Sequence, residues 1–112
     1  MDTDLFAGIP VRNLASALAW YESLFGAPPA FFPHDTEAVW EIGPHQYIYV
    51  VLDSGHAGHA LVTIITSDLA TAIGRISGHG IEPTRDDTYE NGRRKVTFTN
   101  MDGNQIAFGG TA

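Results

Sequence analysis

The sequence contains no cysteine, which removes disulfides and thiolate metal sites from consideration. Positive charge is scarce as well: six Lys and Arg stand against thirteen Asp and Glu, a formal net charge of −7. That balance argues against general nucleic-acid binding, which needs clustered lysine and arginine along the phosphate path. Long apolar runs are missing. The longest, "YIYVVL" at 47–52, is too short to span a bilayer, and no basic region followed by an apolar stretch opens the chain, so the expectation is a soluble, cytoplasmic protein. There is no G-x-S-x-G elbow, no Walker loop and no dinucleotide fingerprint, which leaves the common nucleophile and nucleotide chemistries without a motif.

What is present is an ordinary globular composition, 44% hydrophobic and 17% charged over 112 residues, enough for one domain with a buried core. The charge is unevenly placed. Residues 1–57 hold seven acids and one base, and residues 58–112 hold six acids and five bases. An acidic first half would attract a cationic ligand, and a solvated surface accounts for it equally well. "RRK" at 93–95 is the only basic run; it reads as a solvated hairpin end or as a contact for an anionic ligand.

The chain is written twice. In "NLASALAWYESLFG", Asn13 is an N-cap, Leu14, Ala17, Leu18 and Tyr21 fall on one helical face, and Gly26 is a stop. In "DLATAIGRISGHG", Asp68 is the cap and Leu69, Ala72, Ile73 and Ile76 make the same face, at a constant offset of 55 residues. "FAGIPV" at 6–11 and "LVTIIT" at 61–66 precede the two helices as strands. Extended segments follow at roughly 29–34, 37–42 and 46–53, and again at 82–89, 93–100 and 104–110, with Asn91-Gly92 and Asp102-Gly103 as hairpin turns. The prediction is an α+β fold of two tandem βαβββ modules with concave mixed sheets. The single domain covers 1–112, with module one at about 3–54, module two at about 59–111, and "DSGHAGH" at 53–59 as linker.

Each helix must bury its apolar stripe on one face of its sheet. Alternation then sorts the strands. Ala7, Ile9, Val11, Ile48 and Val50 face the first helix, and Val62, Ile64, Ile106 and Phe108 face the second. Phe6, Tyr47, Tyr49, Leu61, Thr63, Gln105 and Ala107 are left on the opposite faces, where they would line a concave, partly aromatic pocket. Trp40 shares a strand face with Ala38 and Ile42, which suits either core or pocket; it is assigned to the pocket, whose wall is already aromatic.

At this point the chain resembles the vicinal oxygen chelate superfamily of glyoxalase I, extradiol dioxygenases and bleomycin-resistance proteins. The resemblance rests on "IPVRNLASALAWYESLFG", the repeated "SDLATAI" and the closing "NMDGNQIAF", and it covers essentially the whole chain. It implies a glyoxalase/bleomycin-resistance-like fold. Metal-dependent members take one ligand from the first and one from the last strand of each module. Those positions fall here on Phe6, Tyr49, Leu61 and Ala107, three of which have no donor atom, so the resemblance implies no metal and no cofactor. His56 and His59 form an H-x-x-H in the linker, and His34, His45 and His79 stand near turns or a helix end; all read as surface residues.

The reading that results is a metal-free small-molecule-binding protein similar to the bleomycin-resistance branch, sequestering an antibiotic or aromatic metabolite, for which an aromatic or cationic guest is suited. The resemblance also implies a homodimer, because superfamily members complete the cup by pairing modules within a chain or between two chains. The alternatives are a glyoxalase- or dioxygenase-like enzyme (lyase, isomerase or cyclase) with displaced or absent metal ligands, and a domain whose cleft serves protein association. No residue is assigned a catalytic role.

Overall fold

Asn13 and Asp68 start the two helices as the sequence predicts. In the computed structural model, which describes residues 2–111, the Asn13 side chain accepts from the Ser16 N–H at 3.0 Å and opens α1 (Leu14–Phe25). Asp68 accepts from the Thr71 N–H at 3.3 Å and from its hydroxyl at 2.7 Å, opening α2 (Leu69–Gly78). Each cap satisfies a first-turn amide that has no partner within the helix. Gly26 ends α1 in the left-handed region, at φ 75°, a conformation open to glycine because it has no Cβ.

A strand precedes each helix and three follow it. β1 (Leu5–Val11), β2 (Phe31–His34), β3 (Glu37–Gly43) and β4 (Gln46–Leu52) form one sheet, in the order β1-β4-β3-β2. β5 (Leu61–Ile65), β6 (Arg85–Thr88), β7 (Arg93–Thr99) and β8 (Gln105–Thr111) form the other, in the order β5-β8-β7-β6. β1 runs parallel to β4 and β5 to β8, and the remaining pairs are antiparallel. The architecture is the expected α+β arrangement of two βαβββ modules with mixed sheets. β2 and β6 are shorter than the sequence suggests. Pro28, Pro29 and Pro83 have no N–H for a ladder, and pairing begins only beyond them.

The alternation read from the sequence is the alternation observed. Ile9, Val11, Ile48 and Val50 of the first sheet and Val96, Phe98, Ile106 and Phe108 of the second point inward, where they join Tyr21, Leu24, Leu69 and Ile76 in one continuous core. The modules therefore share their helix-bearing sides. Arg75 of α2 adds a polar tie, donating to the Leu24 and Ser23 carbonyls at 2.7 and 3.4 Å and so satisfying C-terminal groups of α1. No helix among the described residues is long and apolar enough to cross a membrane.

The Asp102-Gly103 turn forms, with Gly103 at φ 99°, but within a wider connection from Asn100 to Asn104 rather than as a two-residue hairpin. The connection clasps the two modules. Fully buried Asn104 accepts from the Gly58 and Ala60 N–H groups at 3.1 and 3.0 Å and donates to the Pro10 carbonyl at 2.7 Å. Asp102 accepts from the Arg12 amide at 3.1 Å and its guanidinium at 3.3 Å, while Asn100 donates to the Tyr21 hydroxyl at 3.0 Å. Burial, and secondarily the Asp102 charge, pushes the Tyr21 hydroxyl well above the usual phenol range, so it remains a neutral partner for Asn100.

Candidate functional site

The faces turned away from the helices hold the side chains that could meet a ligand. On the first sheet, β1 and β4 are in register with Phe6 beside Tyr47 and Gly8 beside Tyr49. Phe6 and Tyr47 stack, with ring centroids 4.5 Å apart and planes 11° from parallel. The Tyr49 ring lies directly over Gly8: a Cβ added there would stand 2.5 Å from the ring's Cζ and hydroxyl oxygen. The absence of a side chain at Gly8 thus gives Tyr49 its place on the wall. The Tyr47 hydroxyl donates to Glu41 at 3.4 Å. Partial desolvation, then the Glu41 and Asp4 charges, holds its pKa above the usual phenol value, so it stays a protonated donor.

On the second sheet Thr63 is paired with Ala107, Ala107 with Thr97, and Leu61 with Gln105. With Lys95 these line a shallow depression of about 30 Å³. Leu61 is 77% exposed and Phe6 47%, whereas Ala107 is buried. A drug-sized guest needs a pocket of roughly 300 Å³ or more, so neither face alone is a finished site.

Seven of the eight pocket residues read from the sequence lie on these two faces; Trp40 does not. It pairs with Ile48 in register and so faces α1, and it is nearly sealed in the core against Phe25 and Tyr21, at centroid distances of 5.4 and 6.3 Å. Its indole N–H donates to the Ala27 carbonyl at 2.9 Å. The assignment to the pocket is corrected on that ground: Ala38, on the same strand face as Trp40, is fully buried with it, while Ile42 is left exposed where the register of β3 shifts. Gly8, Glu41, Lys95 and Thr97 join the outward faces instead. The alternation in "KVTFT" at 95–99, with Val96 and Phe98 as core, was the signal for the last two.

The four positions that the resemblance assigns to metal ligands do not fit a cation. Phe6, Leu61 and Ala107 offer no donor, and among the described residues no three His, Cys, Asp or Glu are grouped to hold one. The linker histidine His56 sits 2.9 Å from the Asp53 carboxylate, and His45 sits 2.6 Å from Asp4; both pairs are exposed. The Asp53–His56 pair, at a spacing of three residues, places a carboxylate beside the H-x-x-H that its sequence pattern had not supplied.

Larger cavities lie between the modules and along the second sheet. One of about 290 Å³ lies between the modules, lined by Phe25, Trp40, Ile42, Ile64, Arg75 and Phe108. Another, of about 240 Å³, lies at the far end of the second sheet beside Tyr89, Arg93 and Lys95.

Comparison with known proteins bears on all of this. The family model described as Glyoxalase/Bleomycin resistance protein/Dioxygenase superfamily matches residues 5–108. A solved glyoxalase/bleomycin resistance protein from Catenulispora acidiphila is 46% identical, with 99% of this chain and 100% of that one aligned at a TM-score of 0.96. A bleomycin-binding protein complexed with bleomycin shares the fold at 17% identity, with 99% and 100% covered and a TM-score of 0.75. A lactoylglutathione lyase from Agrobacterium tumefaciens does so at 15% identity, with 98% and 94% covered and a TM-score of 0.78. No curated protein matches the chain.

Proposed function

Because the chain belongs to the glyoxalase/bleomycin resistance protein/dioxygenase superfamily, we propose that it is a small-molecule-binding protein that holds its guest on the outward faces of the sheets, without a metal and without breaking a bond. One observation carries the reading. The Phe6–Tyr47 stack, Tyr49 over Gly8, and Leu61, Thr63, Gln105 and Ala107 form walls suited to a flat, partly aromatic guest, and they include no paired acid and base. A thermal-shift screen of chelator-treated protein tests it, with bleomycin and aromatic metabolites as the first probes. A saturable rise in melting temperature without added metal is expected. Stabilisation only on adding zinc, nickel, iron or manganese favours the lyase or dioxygenase reading instead. Elemental analysis of the untreated protein is expected to find well under one divalent metal per chain; about one per chain, lost on His59→Ala, contradicts the metal-free reading.

The guest site is completed by a second copy. Phe6, Leu61 and Ile65 are all exposed on the outward faces, and an isolated chain avoids uncovered apolar surface of that kind. Light scattering at micromolar concentration is expected to give twice the chain mass of 12.1 kDa; the single-chain mass contradicts the dimer.

A further inference from the structure

We propose that the second module carries an anion subsite at Arg93 and Lys95, which takes the carboxylate or phosphate group of a small guest whose apolar body lies on the outward face. The inference deepens the small-molecule reading and rests on it for the body of the guest. Among the described residues the other cations are occupied. Arg12 pairs with Asp102, Arg85 with Asp87, and Arg94 grips Asp86 with two bonds of 2.9 and 2.7 Å. Arg75 is held by the α1 carbonyls. Among the described residues Arg93 and Lys95 have no carboxylate partner, in a chain with thirteen acids. A partly buried lysine left unpaired in so acidic a chain is the feature to be explained.

Arg93 and Lys95 stand two residues apart on β7 and so share a face, the one that carries Thr97. The cavity of about 240 Å³ opens beside them, lined also by Thr63, Ile65, Tyr89 and Asn91, and no Asp or Glu lines it. Gly109 lies opposite Lys95 in register, and a Cβ there would come 3.0 Å from Ile65 Cδ1, so bare backbone forms part of the cavity floor. Thr63 and Lys95 also border the depression at Leu61 and Ala107, which makes the cavity continuous with the proposed guest face. Asp87 lies across from Lys95 in register but is paired with Arg85 at 2.9 Å. Two cations without an ion-pair partner among the described residues, a phenol and an amide around a partly apolar space are the chemistry that recognises an organic anion: the guanidinium and ammonium bind the charged group, and Ile65 and Tyr89 meet the body.

Lys95 is the chain's only lysine, so reductive methylation with ¹³C-formaldehyde labels one side chain besides the amino terminus. Titration with phenyl phosphate is expected to move the Lys95 methyl resonance saturably, while phenol leaves it in place. Inorganic phosphate is expected to move the same resonance with weaker affinity. Arg93→Gln should weaken phenyl phosphate binding about tenfold, and Lys95→Met should do the same by calorimetry, with melting temperatures unchanged because neither side chain has an ion-pair partner among the described residues. No movement of the resonance, an equal response to benzylamine, or affinity unaffected by both variants overturns the subsite. A failed guest screen beside saturable inorganic phosphate binding at Lys95 counts against the proposed function and not against the subsite.

Discussion

Ile48→Ala is expected to lower stability by about 2–5 kcal/mol, the range for truncating a buried aliphatic side chain in a core that closes only partly around the gap. Ile48 is 1% exposed and packs in the cluster that unites both sheets and both helices. Tyr49, the next residue, faces the other way. Tyr49→Ala is therefore expected to leave a cooperative unfolding transition near its original midpoint and to weaken guest binding about tenfold, through lost stacking and contact area. Chemical denaturation of both variants, with calorimetric binding for the second, checks the pair. A reversal, in which Tyr49→Ala unfolds the protein and Ile48→Ala abolishes only binding, contradicts the assignment of the two faces.

Asn104→Ala carries the other large effect. Its side chain makes three hydrogen bonds, to Gly58, Ala60 and Pro10, from a fully buried position. Removing it strands two amides and a carbonyl, which together are expected to cost about 2–4 kcal/mol. The loss should be local in origin. Hydrogen exchange is expected to accelerate first at Gly58 and Ala60, before the amides of β7 and β8. Uniform acceleration across the second sheet, or a variant as stable as the parent, contradicts the clasp.

The repeat made the fold legible. Two capped helices at a constant spacing, each ahead of three strand-like segments, fixed element order and, through alternation, which side of β1, β4, β5 and β8 met a helix. Those strands lie next to one another in each sheet, so one correct register carried the rest. β3 was harder. "EAVWEIG" has Ala38, Trp40 and Ile42 on one side and Glu37, Val39 and Glu41 on the other, and a tryptophan suits a core and a ligand wall alike. Only the pairing of Trp40 with Ile48 separates the two. The clasp was illegible for a different reason: "NMDGN" advertises a turn, and nothing local says that its asparagine side chain reaches Pro10, 94 positions away in sequence. Gly8 is a similar case, since its importance lies in a tyrosine on the neighbouring strand. The charged cavity at Arg93 and Lys95 was half visible as "RRK", but the run alone could not show that its middle arginine is held by Asp86 while its neighbours have no ion-pair partner among the described residues.

The central claim is that a small molecule is held on the outward faces. Amide chemical-shift mapping tests it most directly, using chelator-treated protein and the compound that stabilises it most in the thermal screen. The account predicts saturable shifts centred on Gly8, Tyr49, Thr63 and Ala107. Shifts confined to Trp40, Ile42, Ile64 and Phe108, around the cavity of about 290 Å³ between the modules, would contradict it.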